Sequence, residues 1–444
     1  MGQVKNKQFS LNQILFFVAV IATVALLMLS LLNRQGGIMY YALFVLIVPV
    51  VFVDDKTFAK ILMFWIPFNT VLYISSFSII IVFATFRVVK DLVNTKNKKI
   101  DSLIPVLFAF LIYSLFTRYS DAVMDSVKNA IIILLCLKLF DSLKEDDEDG
   151  SAFGDVIVSF ACGVIFTVIC SIAVNGIDFS SRFSVTGSSG VNALGIMSAT
   201  CIMYLVMLIS QTDKDRPLRT VLVLLLLMTG FLTQSRTFLL MIVLTALWMT
   251  LFEIGSRKNM LRNTIIVVIV LLGVYFLFTR VAFMSELLDK MMNRVDKLDS
   301  DSAGGRYVLW QKYLEAILSS PKTILFGIGD YRNYGIMQVA HNMWLEIIAE
   351  YGFLGLPVAI LVYVHSLRRI LSSSERYKIR LFSFLPMIIY FVAMMYSHTP
   401  IGNPNTVVFL LSGYAVYAFS KGFAKREKKQ KKTLSDYEKT QISL

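Results

Sequence analysis

Charge is what this chain is short of. Only 16% of its 444 residues are Asp, Glu, Lys or Arg, while 56% are hydrophobic. Soluble domains carry about 25% charged residues, so an ordinary soluble globule is excluded and a chain that crosses a membrane many times is indicated. Cysteine is scarce too. The four present (Cys136, Cys162, Cys170, Cys201) all fall inside apolar runs at no metal-ligand spacing, so neither a disulfide nor a zinc site is expected and they read as small core residues. Histidine occurs only three times. No small-residue cleavage site follows the first apolar run, 14–32, which comes after Lys5 and Lys7 and is near full spanning length; it reads as an uncleaved first span, not a signal peptide. Acidic residues are outnumbered, leaving a net charge of +13. In a membrane protein that excess follows from lysines and arginines crowding the cytoplasmic loops, so nucleic acid is not an expected partner. The basic tail KGFAKREKKQKK (421–432) fits a cytoplasmic end lying on anionic lipid.

What the chain has in abundance is apolar runs. A bilayer core about 30 Å thick needs roughly 20 apolar residues. On that ruler spans fall near 14–32, 38–53, 58–74, 76–90, 101–117, 122–140, 154–174, 191–210, 218–234, 237–252, 264–280, 341–365, 381–398 and 405–421. The expected fold is therefore an all-α polytopic membrane protein with about 14 transmembrane helices. The stretch 58–90 reads either as two short helices bent at Pro67 or as one span plus a re-entrant piece. Loop charge favours two: with the N-terminus inside, the basic loops 90–99, 212–219, 253–262 and 365–380 all become cytoplasmic. The acidic loop 141–149 counts little in that rule. The domains read as transmembrane helices over 1–280, an extracytoplasmic loop over 281–340, further spans over 341–421 and a cytoplasmic tail over 422–444. No short-period repeat and no soluble domain are evident.

The stretch 302–355, SAGGRYVLWQKYLEAILSSPKTILFGIGDYRNYGIMQVAHNMWLEIIAEYGFLG, is the one long polar segment among the apolar spans, and it runs directly into one of them. Within it Arg306, Trp310, Tyr313 and Ile317 recur at helical spacing, which predicts an amphipathic helix lying along the membrane surface and ended by Pro321. Three arginines stand opposite the basic loops. Arg236, in TQSRT between two apolar runs, must lie in or just under the outer headgroup layer; an ionisable group there is costly and often functional, the alternative being a snorkelling helix end. Arg306, at a helix start, suits an anionic phosphate or a lipid headgroup. Arg182, in RFSVTGSSGVNA, also reads as part of a solvated loop. His341 and Asn342 open a span; the histidine is either a polar cap or a base with an ordinary pKa near 6.5. Glu350 lies about two and a half turns deeper. The Asp299-x-Asp301 pair reads as a solvated acidic turn, His398 opens a Pro-rich outer turn, and His365 faces the cytoplasm.

The order Arg306…Trp310, Pro321, Gly327-x-Gly329, His341–Asn342, then Glu350-x-Gly352-x-x-Gly355 resembles the O-antigen ligase and polymerase (Wzy-type) superfamily. The upstream TQSRT, through Arg236, and RFSVTGSSGVNA, through Arg182, Gly187 and Asn192, resemble family positions as well, so the likeness covers roughly 150–400. The resemblance implies a GT-C-like membrane glycosyltransferase in a bacterial inner (cytoplasmic) membrane, with its site on the extracytoplasmic face. The donor it implies is an undecaprenyl-diphosphate-linked oligosaccharide and the acceptor a lipid-linked glycan; a chain-length regulator and a flippase would be further partners. Transfer would be inverting, without metal or cofactor. Arg236 and Arg306 would stabilise the departing diphosphate with help from Arg182, and His341 would be the general base. Asn342, Trp310 and Glu350 would bind substrate or orient the base.

Two activities share that donor site. A polymerase joins lipid-linked repeats; an O-antigen ligase moves the finished chain to lipid A core. The polymerase is the expectation, because such enzymes recur in O-antigen, capsule and exopolysaccharide assembly alike. A lipid-linked oligosaccharide flippase would place charges along a path through both leaflets, whereas the candidates here cluster at one set of span ends. A peptidoglycan polymerase of the shape–division class would need an outward catalytic Asp that is not found in a matching context.

Overall fold

In the computed structural model the residues described are 10–33, 36–68, 73–74, 77–94, 103–118, 121–146, 151–176, 191–212, 214–252, 303–372, 381–395 and 405–422. They form an all-α membrane protein. Its helices are α1 (Leu11–Asn33, with a π-helical stretch at Val18–Ala22), α2 (Gly36–Phe52), α3 (Asp55–Trp65), α4 (Ile79–Asn94), α5 (Leu103–Ser114), α6 (Ala122–Asp146), α7 (Ser151–Asn175) and α8 (Val191–Gln211). There follow α9 (Arg216–Leu232), α10 (Arg236–Phe252), α11 (Ala303–Leu318), α12 (Pro321–Phe326), α13 (Met343–Leu371), α14 (Leu385–Met395) and α15 (405–422). Among the described residues, α1, α7, α8 and α13 are long and apolar enough to cross a membrane by themselves. The expected span at 264–280 lies outside the described residues, as does the first part of the expected loop.

The ambiguous stretch resolves into two helices. Asp54 caps α3 by accepting from the Thr57 N–H at 2.7 Å, and a single 3-10 turn at Ile66–Phe68 carries Pro67, which lacks the N–H needed to continue the helix. A two-residue antiparallel pair then follows, Tyr73 opposite Ser78 and Ile74 opposite Phe77, before α4 begins. Eleven residues of α3 rise about 17 Å, well short of a bilayer core. It is buried along its length from Phe58 against α7, where Gly163 admits the Phe64 carbonyl: a Cβ there would lie 2.1 Å from that oxygen.

Polar contacts sort the helix ends into two sets. At one end Asn12 meets Asp54, Arg87 meets Asp55, Lys56 meets Asp155 at 3.6 Å, and Arg369 meets Asp141 at 3.0 Å. Arg219 reaches the Leu208 carbonyl there too. At the opposite end Tyr113 bonds Leu325 and Tyr351, and Ser235 bonds Asn192. Successive helices thus alternate in direction, and the candidate residues gather at the second end.

There the segment expected to lie flat on a membrane builds a small core of its own. Tyr313, Ala316 and Ile317 of α11 pack with Ile328, Ile336, Ala340 and the Ala349 of α13, separately from the main core. Pro321 does stop α11, but it also starts α12, whose N-cap Ser320 makes a reciprocal capping box with Thr323. The opposite edge of α11 leaves Tyr307, Leu314 and Leu318 exposed. The unit defined by packing therefore extends beyond residue 340 into the first turns of α13.

Candidate active site

The TQSRT motif is a turn with almost no slack. Helix α9 ends at Leu232, Gln234 takes a left-handed φ of +49°, and α10 starts at Arg236. Phe238 folds back so closely that a Cβ on Gly230 would lie 2.1 Å from its ring. Ser235 caps α10 by accepting from the Phe238 N–H at 3.4 Å and bonds Asn192 at the start of α8 at 3.3 Å. Thr233, Gln234 and Ser235 are buried while Arg236 is half-buried. Three helix ends thus fix where the Arg236 side chain begins, at a helix N-terminus whose free N–H groups favour an anion.

Arg306 is half-buried as well. Burial first, and then the Arg236 charge, push the Arg306 guanidinium below its ordinary pKa. Guanidinium stays cationic at any ordinary pH, so charges on two helices 70 positions apart in the sequence repel one another.

One turn along the same face of α11 stands Trp310, about 6 Å further on the helix axis. Its indole N–H donates to the Ala340 carbonyl at 2.8 Å, and the Tyr313 hydroxyl donates to the Gln338 carbonyl at 3.1 Å. Helix α11 therefore carries Arg306 on one turn and grips the backbone leading into His341 on the next two. The Tyr313 phenol is pushed up by burial and then by Tyr331, Glu346, Glu350 and Asp330.

His341 has a φ of +50°. Its N–H donates to Glu346 Oε1 at 3.0 Å. The helix cap is not His341 but Asn342, whose Oδ1 accepts from the Trp344 and Leu345 N–H groups at 3.1 and 3.3 Å. The glycine motifs explain how this end of α13 meets the rest. Gly352 (φ +66°, ψ 179°) breaks α13, and a Cβ on it would lie 2.2 Å from the Leu325 carbonyl. Gly327, Gly329 and Gly355 likewise make room for the Ala349 carbonyl, the Arg118 carbonyl and the Tyr113 ring. The Tyr113 hydroxyl lies 3.0 Å from the Leu325 carbonyl and 2.6 Å from that of Tyr351, locking the break.

Hydrogen bonds thus tie the Trp310 turn of α11, which follows the Arg306 turn, to the segment carrying His341 and Asn342. The Trp310 indole N–H and the Asn342 Oδ1 are both engaged by backbone groups. Glu350 is half-buried one turn beyond Glu346. Arg182, Gly187, Asp299, Asp301 and His398 lie outside the described residues. Two residues that shape this region were not singled out from sequence: Tyr113, with no motif around it, and Glu346, whose place in the first turn of a helix starting with Asn342 was the available signal.

Apolar helices long enough to cross a membrane, with no domain other than helical among the described residues, define an all-α membrane protein. Residues 221–360, from within α9 into α13, match the family model for O-antigen ligase (Wzy_C), a match that supports membership of the Wzy/O-antigen ligase superfamily. No curated protein sequence matches it.

Proposed function

We propose that this chain is a polysaccharide polymerase of the bacterial inner membrane, with fourteen spans, both termini inside and its active site on the extracytoplasmic face. It moves a glycan from an undecaprenyl-diphosphate carrier to a sugar hydroxyl of a lipid-linked acceptor. The acceptor oxygen attacks the anomeric carbon, the bond from that carbon to phosphate oxygen breaks with its electron pair, and configuration inverts. The hydroxyl proton passes to His341.

The observation that carries this reading is the hold of α11, which bears Arg306, on the backbone leading into His341 through Trp310 and Tyr313; the Arg236 charge acts on Arg306 as well. Diphosphate is already a good leaving group, so it needs compensation of charge, not a proton. Two guanidiniums supply that, each charge-assisted contact contributing about 1.5–3 kcal/mol and more if it tightens in the transition state. The acceptor hydroxyl does need a base, a role worth roughly 10²–10⁴ in rate. Arg182 assists at the diphosphate, and Glu350 and the remaining amide of Asn342 contact sugar. Clustering of the candidates at one end of the bundle argues against a flippase. An O-antigen ligase uses the same donor chemistry and is the second reading, favoured by the description of the matching family model.

The test is product analysis in cells carrying His341→Ala or Arg306→Lys at matched protein level. Loss of long glycan with accumulation of single lipid-linked repeats is the result expected of a polymerase, Lys failing because it lacks the guanidinium fork. Full-length polymer retained on its lipid carrier would identify a ligase instead. Unchanged product in both variants would refute the site.

A further inference from the structure

Three described residues other than glycine have positive φ, and one of them is His341 at +50°. Side chains disfavour that conformation, so something must hold it. Two bonds flank the residue. On its N-terminal side the Ala340 carbonyl accepts from the Trp310 indole at 2.8 Å, and its own N–H donates to Glu346 Oε1 at 3.0 Å.

The second bond is not ordinary helix capping. In the usual reciprocal box, a side chain three residues into a helix reaches back to the N-cap N–H. Here the carboxylate sits one residue deeper and reaches one residue further out, to the position before the cap. The cap itself is already complete, because Asn342 accepts from both Trp344 and Leu345. The carboxylate is 7% exposed, and burying such a group is costly unless its bonds repay it. Its location in the first turn of α13 favours a negative charge, but the oxygen is used on His341.

We propose that Glu346 is a positioning residue that holds His341 in its left-handed conformation and thereby sets where the imidazole stands relative to Arg306. The role rests on the transfer reaction proposed above. It requires a hydrogen-bond acceptor, not a charge. Glutamine retains the acceptor and alanine does not.

The experiment uses the full chain in lipid nanodiscs, as wild type, Glu346→Gln and Glu346→Ala. Hydrogen exchange at the His341 amide is read beside turnover of polyprenyl-diphosphate-linked repeat extracted from the producing cells. In Glu346→Ala the amide should exchange about tenfold faster, the equivalent of one hydrogen bond. Its kcat should fall about 100-fold, the effect of a small misplacement, with little change in KM. Glu346→Gln should restore both. The proposal is overturned if Glu346→Ala keeps wild-type exchange and turnover. It is equally overturned if Glu346→Gln keeps the amide protected yet turns over as poorly as Glu346→Ala, because charge would then matter and position would not. Absence of transfer by the wild type would refute the proposed reaction, and amide exchange would still decide whether Glu346 holds His341.

Discussion

Gly352 offers the sharpest quantitative test of how the site end is assembled. Its φ of +66° and ψ of 179° fall in a region that is essentially glycine's alone and costs another residue about 1–3 kcal/mol. Alanine there would also drive a Cβ to 2.2 Å from the Leu325 oxygen, 2.4 Å from its carbon and 2.6 Å from the Gly327 nitrogen. All three are backbone atoms, so no side-chain rotation relieves the clash and α12 must move off α13. That movement breaks the hold of the Tyr113 hydroxyl on the Leu325 and Tyr351 carbonyls, about 0.5–1.5 kcal/mol more. Together these give a destabilisation of about 1.5–4.5 kcal/mol. The control is Gly335, whose φ of +71° and ψ of 16° are left-handed with nothing within 4 Å of a new Cβ; alanine there should cost only about 1–2 kcal/mol. Unfolding free energies come from SDS titration of mixed micelles followed by tryptophan fluorescence. If Gly352→Ala cost no more than Gly335→Ala, the close approach of α12 to the broken helix would be wrong.

Further predictions follow from the same contacts. Asn342→Ala should destabilise the protein by about 0.5–2 kcal/mol through loss of the helix cap, and Asn342→Asp should largely retain stability; the same titration reads both. Tyr113→Phe should cost about 1 kcal/mol while leaving the ring packed on Gly355, with faster amide exchange confined to the segments around 325–328 and 351–355. The Asp330 carboxyl is held below its ordinary value by hydrogen bonds from the Arg332 side chain and backbone. A group with a depressed folded pKa stabilises above its unfolded pKa and loses that contribution as pH falls through the folded one. Exchange protection of the 330–335 turn should therefore be constant at neutral pH and decline in acid below the normal aspartate range, a decline that Asp330→Asn abolishes.

Much of this molecule is written locally. Scarce charge and long apolar runs dictated a helical membrane protein, because an unpaired backbone cannot cross lipid. Basic loops predicted which helix ends belong together, and the ion pairs Lys56–Asp155 and Arg369–Asp141 join ends assigned to one side. The spacing of Tyr313 and Ile317 announced the buried face of α11, and Asn342 announced a helix start. Tertiary structure alone decided the rest. Periodicity marks which face of a helix is buried, not what it is buried against. The Trp310 grip on Ala340 and the reach of Tyr113 to Leu325 and Tyr351 each join residues separated by 30 or more positions. Apolar residues at helical spacing can be met by many neighbours. The Arg306 helix and the His341 backbone are joined only because rigid helices, packed through glycines that admit backbone, fix where their ends meet.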